Sequence, residues 1–148
     1  MTYSIQAIIA MQGSFPLALP DGAAVLQLDG GMQIVPLGSA MRRQYAIPLL
    51  PLTDDGRTLL PSVLQALCAR LGVRGPVAYI EAEFFGGQGT QAHALMPGPG
   101  ADPVVLVADD AINRALSWLG VRPLDGHDAF ATVGLGKHRD TDDWLPDT

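Results

Sequence analysis

The chain has 148 residues, the size of one ordinary domain, and a chain of that length can bury roughly 70% of its unfolded surface without metals or disulfides. Apolar residues make up 48% of it and charged ones 16%, which predicts a generous core and excludes extensive disorder. Lys and Arg number 9 against 15 Asp and Glu, for a formal charge of −6; that balance argues against nucleic acid as a partner and favours a basic protein.

Residues 3–10 alternate loosely, are rich in isoleucine and read as a first strand, closed by Gly13 and Pro16. The apolar run around it is broken by Gln6, lacks a basic flank and is too short to span a bilayer, so no membrane partner is expected and the cytoplasm is the expected compartment. Residues 23–28 and 32–37, joined by Asp29, Gly30 and Gly31, read as a hairpin, because these turn residues tolerate positive φ. Residues 45–52 carry Pro48 and Pro51, which cannot donate to a central ladder, so an edge strand or extended connector is predicted.

A helix is predicted over residues 59–71, with Val63, Leu64, Leu67, Cys68 and Leu71 on one stripe and Pro61 in its first turn. The only cysteine, Cys68, falls on that stripe with no cationic neighbour in sequence and reads as a reduced core thiol. A second helix is predicted over residues 110–119, with Asp109 or Asp110 as cap. Both helices run into the same Leu-Gly-Val-Arg sequence, at Gly72 and Gly120, which reads as a left-handed glycine stop with an apolar residue behind it. Between the helices lie a hairpin of residues 77–85 and 90–96, a Pro-Gly loop over 97–100, and a short strand over 104–107. The expected class is α+β: a single domain over residues 1–148 with a mainly antiparallel sheet and two principal helices, and a C-terminal tail extended from about residue 134 unless Trp144 folds it back.

Candidate chemistry concentrates in the hairpin. Glu81 and Glu83 share a strand face with Tyr79, opposite the apolar Ala78, Ile80, Ala82 and Phe84, so both carboxylates are expected to face outward. An acid-base pairing with His93 depends on register. With a two- or four-residue turn, pairing Phe85 with Thr90 and Ala82 with His93, the imidazole lies on the other face; a slip of one residue brings it over. Gly86, Gly87 and Gly89 read as a turn rather than a phosphate loop, because no helix opens behind them. Gly134, Gly136 and Lys137 lack the first glycine and the hydroxyl of a nucleotide loop. No two histidines have metal-binding helical spacing, and no nucleophile elbow is present, so neither a metal nor a cofactor is called for.

Residues 79–91 and 134–144 resemble segments of a family of small, acidic, uncharacterised bacterial proteins associated with immunity to secreted toxins. The resemblance covers about a quarter of the chain and implies a non-enzymatic protein whose acidic surface occludes a basic toxin domain. Glu81, Glu83, Phe85 and Trp144 are the candidate contact residues for that partner, aromatic groups being enriched at interfaces. The competing expectation is a small hydrolase or metal-dependent enzyme using Glu81, Glu83 and His93, and a third is a subunit that pairs with its own copy.

Overall fold

A computed structural model describes residues 2–19, 23–85, 88–98 and 101–145. Six strands, β1 (Thr2–Met11), β2 (Leu26–Gln27), β3 (Met32–Pro36), β4 (Val77–Phe85), β5 (Gln88–Met96) and β6 (Val104–Val107), form one sheet in the order β2-β3-β1-β4-β5-β6. All neighbours are antiparallel, as expected for an α+β domain. Four helices accompany them: α1 (Ser39–Tyr45), α2 (Ser62–Leu71), α3 (Ala111–Trp118) and α4 (Ala129–Val133). No helix among the described residues is long and apolar enough to cross a membrane.

Both faces of the sheet are covered, which explains why β1 alternates so loosely. Its Ile5, Ala7 and Ile9 pack against α3, α4 and the C-terminal segment through Ile112, Leu116, Val133 and Leu135. Its Ile8 and Ala10 face the other way, onto Met41 of α1 and Leu64, Leu67 and Leu71 of α2. A strand buried on both sides has no solvent face to be polar, so its hydrophobicity is nearly continuous.

The predicted hairpin at Gly30 and Gly31 forms, although its first strand shrinks to Leu26–Gln27. Residues 45–52 are not a strand. Tyr45 closes α1, a helix that the sequence pattern does not reveal because only Met41 of it is buried, and residues 46–52 follow it. Its Ser39 N–H is capped from far away, by Asp142 Oδ1 at 2.8 Å. The chain then turns through Ala46 at φ 54° and Leu50 at φ 45°, left-handed positions unusual for residues with a Cβ.

The glycine stops behave alike in backbone angle, with Gly72 at φ 70° and Gly120 at φ 102°. At α3 the Schellman pair is complete: Gly120 N–H reaches Ser117 carbonyl at 3.0 Å and Val121 N–H reaches Leu116 carbonyl at 2.9 Å. The start of α3 departs from expectation. Asp110 makes no capping bond and instead meets Arg114 at 2.9 Å, while Gln91 Oε1 on β5 accepts from Ile112 N–H at 2.8 Å.

Candidate functional site

Glu81 is the most densely hydrogen-bonded side chain of the hairpin, and it is 0% exposed. The expectation that it faces solvent is therefore corrected: the face it shares with Tyr79 is roofed by the segment after α1. Leu52 and Thr53 N–H groups donate to its two oxygens at 3.0 Å each, and the Thr53 hydroxyl adds a bond of 2.8 Å. The Tyr79 hydroxyl donates at 3.0 Å. Burial, and then the adjacent charge of Glu81, push the Tyr79 phenol well above its ordinary pKa, so it remains a donor.

Gln6 extends the network from the facing position on β1, where it pairs with Glu81. Its Nε2 donates to the Tyr79 hydroxyl and to the Pro48 carbonyl, both at 2.9 Å, and its Oε1 lies 3.4 Å from Leu50 N–H. These bonds hold the turning segment 48–53, including the left-handed Leu50, against the sheet. A carboxylate that accepts from four protein donors has no oxygen aimed at a substrate. Its work is to satisfy backbone N–H groups that the roof would otherwise bury unpaired.

Glu83 stands one row further along the same face, half-buried rather than enclosed. Partial desolvation and the neighbouring Asp54 carboxylate raise its pKa from the ordinary value. Phe85 beyond it is 58% exposed, so of the four candidate contact residues these two lie at the surface.

Trp144 does not. It is 8% exposed and packs in the core with Ile5, Ala82 and Leu135, edge-on to the His138 ring at 4.6 Å. Residues 134–145 are folded back rather than extended. Ser4 N–H donates to the Arg139 carbonyl at 2.7 Å and Gln6 N–H to Thr141 Oγ1 at 3.0 Å. The approach is close at Gly38, where an added Cβ would stand 2.5 Å from Asp142 Oδ1 and 2.6 Å from Leu145 Cδ1, so a larger residue would displace the ends of those two side chains.

His93 pairs with Ile80, on the face opposite Glu81 and Glu83, so the three residues of the enzyme reading do not share a site. The register is shifted by two residues from the pairing considered above, with Phe85 opposite Gln88 and Glu83 opposite Thr90, and an even shift preserves the face. The turn glycines Gly86 and Gly87 lie outside the described residues. The His93 imidazole is buried and its Nδ1–H donates to the Ala111 carbonyl at 2.6 Å. Burial lowers its pKa below the ordinary value, leaving a neutral ring that fastens β5 to the first turn of α3.

Sequence reasoning missed Gln6, Thr53 and Gln91 as structural partners. A lone polar residue in the middle of the β1 apolar run was the available signal for Gln6. Thr53 carried none, since its partner Glu81 lies in a distant strand.

Among the described residues no group of three or more His, Cys, Asp and Glu is placed to hold a metal ion. One cavity of about 230 Å³ opens between α2, the start of β4, the end of β5 and residues 101–103. Cys68 is in its wall, and burial pushes that thiol up to about 12, so it is protonated and unreactive at neutral pH. No family model, no curated protein and no solved structure matches this chain.

Proposed function

We propose that this protein is a non-enzymatic binding protein that occludes a basic protein partner, a toxin domain in an immunity pair, with the open end of its sheet around Glu83 and Phe85. The observation that carries this reading is the placement of Glu83 beside Asp54. Burial and then the Asp54 carboxylate disfavour the Glu83 charge, and Arg57 lies 3.8 Å from Asp55. A Lys or Arg delivered by a partner relieves that repulsion, while the exposed Phe85 ring supplies apolar contact area beside it. The formal charge of −6 steers a basic partner to the same body. The separation of His93 from both glutamates, together with the saturation of Glu81 by protein donors, gives no support to acid-base catalysis by these three.

The test is capture of the partner from the native host, followed by titration of the purified partner. The combination Glu83→Gln with Asp54→Asn should weaken binding about tenfold at low salt, with the loss shrinking as salt rises, since charges at the surface are screened over about 8 Å at physiological ionic strength. Phe85→Ala should weaken binding at all salt concentrations. The captured partner should be toxic alone and silent in the complex; a harmless partner, or affinity unchanged in both variants, overturns the reading.

A further inference from the structure

Among the described residues the outer edge of β6 pairs with no strand, and its four residues are apolar and uncharged. Ala108 N–H donates to the Gln91 carbonyl at 3.3 Å, which makes that facing pair a hydrogen-bonded one. With Ala92 opposite Val107, His93 opposite Leu106, Ala94 opposite Val105 and Leu95 opposite Val104, hydrogen-bonded and non-hydrogen-bonded pairs alternate outward from it. Leu106 and Val104 therefore turn their backbone groups toward β5, and Val105 and Val107 turn theirs away from the sheet. No strand lies beyond β6 among the described residues.

Edges of this kind are ordinarily blunted by lysine, by proline or by a cover. Here Val104 is 57% exposed and Val107 is 51% exposed, and Pro103 ends the strand without interrupting its two outward amides. The charges bracketing the strand are acidic: Asp102 before it, and Asp109 and Asp110 after it.

The cavity of about 230 Å³ begins where β6 begins, since Asp102 and Pro103 line it together with Cys68 and Ala69 of α2, Val77 of β4 and Met96 of β5. Its lining combines apolar side chains such as Val73, Val77 and Met96 with polar groups, and Asp102 is the one charged residue among them. That combination suits a long aliphatic stem ending in a cation, as in lysine or arginine.

The geometry points to β6 as a strand-addition site that takes an extended basic segment of the partner, antiparallel, with backbone bonds to Val105 and Val107 and a Lys or Arg side chain in the cavity beside Asp102. Main-chain pairing supplies affinity in such a mode and the side-chain pocket supplies selectivity. Self-pairing of two copies is the poorer occupant: antiparallel β6 strands would bring Asp102 of one copy to Asp109 and Asp110 of the other, between two bodies each carrying −6. The sign of the partner rests on the proposed function; the location of the edge and cavity does not.

The test uses the full chain and a synthetic peptide, acetyl-Thr-Val-Thr-Val-Thr-Lys-amide, whose C-terminal lysine lies at the cavity end when the strands are antiparallel. In the free protein the Val105 and Val107 amides should exchange with solvent faster than those of Val104 and Leu106, and saturating peptide should slow both by tenfold or more. N-methylation of alternate peptide amides should abolish binding in one frame and spare it in the other. Asp102→Asn, a change at an exposed loop position, should weaken the lysine peptide several-fold at low salt without changing protection at saturation. Protection of Val105 and Val107 already present in the free chain, equal binding by both N-methyl series, equal affinity for a peptide with glutamate in place of lysine, or a concentration-dependent dimer protecting the same amides would each overturn the proposal. Glu83 pairs with Thr90, beyond the Val107 end of β6, so failure of the toxin reading would leave the peptide results standing.

Discussion

Glu81 and Glu83 occupy the same face of one strand, a single row apart, and their surroundings are opposite. Over Glu81 lies the segment 46–53, which brings two backbone N–H groups and a hydroxyl to the carboxylate. Over Glu83 that roof has ended, and what approaches is Asp54, a like charge. The first glutamate is held by donors and holds the roof in return; the second meets a like charge and forms no ion pair among the described residues. Residue type and strand parity are identical, so the difference comes from which neighbouring residue the roof presents, Thr53 at one row and Asp54 at the next.

The sharpest way to break this comparison is to remove the buried carboxylate. Glu81→Leu should cost about 3 kcal/mol or more, because Leu52 N–H, Thr53 N–H and the Tyr79 hydroxyl lose their acceptor inside the protein. Urea denaturation measures it, and a loss below about 1 kcal/mol would mean that the segment 46–53 is not pinned through Glu81. Thr53→Val, which deletes the 2.8 Å hydroxyl bond while keeping the shape, should cost about 1–1.5 kcal/mol.

The opposite face offers an independent control through His93. Its folded-state pKa lies below the ordinary 6.5, so as pH falls the unfolded chain takes up the proton first. The stability associated with the neutral ring is fully present above about pH 6.5 and is lost as pH falls from there through the lowered folded value, with a slope of at most about 1.4 kcal/mol per pH unit. His93→Gln should flatten the stability profile between about pH 7 and about pH 5.5; an unchanged slope would assign the acid sensitivity to other groups.

The smallest effects belong to the open end. Glu83→Gln and Asp54→Asn each relieve a like-charge contact and should change stability by less than about 0.5 kcal/mol, in the stabilising direction. Thr53 and Asp54 are consecutive, and opposite signs of effect on substituting them are what the comparison requires. Equal destabilisation by both would erase it.

Much of the frame was legible before the fold. Alternation marked β4 and, loosely, β1, the return after the glycines marked β5, a short apolar run marked β6, the Asp-Gly-Gly turn marked the first hairpin, and Gly72 and Gly120 marked two helix stops, all of them properties of short chain segments. The helix α1 was not legible, because one buried methionine makes no stripe and the acceptor that caps it is Asp142, over a hundred positions away. The cap of α3 was misassigned for the same reason, since Gln91 on β5 accepts the backbone N–H that Asp110 was expected to take, while His93 donates to the Ala111 carbonyl beside it.

Strand parity is local: successive side chains alternate sides by backbone geometry, so the sequence determined that Glu81, Glu83 and Tyr79 share a face, whereas the face of His93 waited on the register, which the pairing of Ile80 with His93 sets. The sequence also determined that β6 is an uncharged run bracketed by acids. Whether a face is roofed, and with what, depends on chain distant in sequence. The donors that claim Glu81 come from 28 and 29 residues upstream, and the C-terminal segment that buries Trp144 pairs with β1 at the other end of the chain. Only the tertiary structure decided which carboxylate was buried and which was left at the surface, because burial and hydrogen-bond satisfaction are properties of the assembled neighbours and are not encoded in the alternation of one strand.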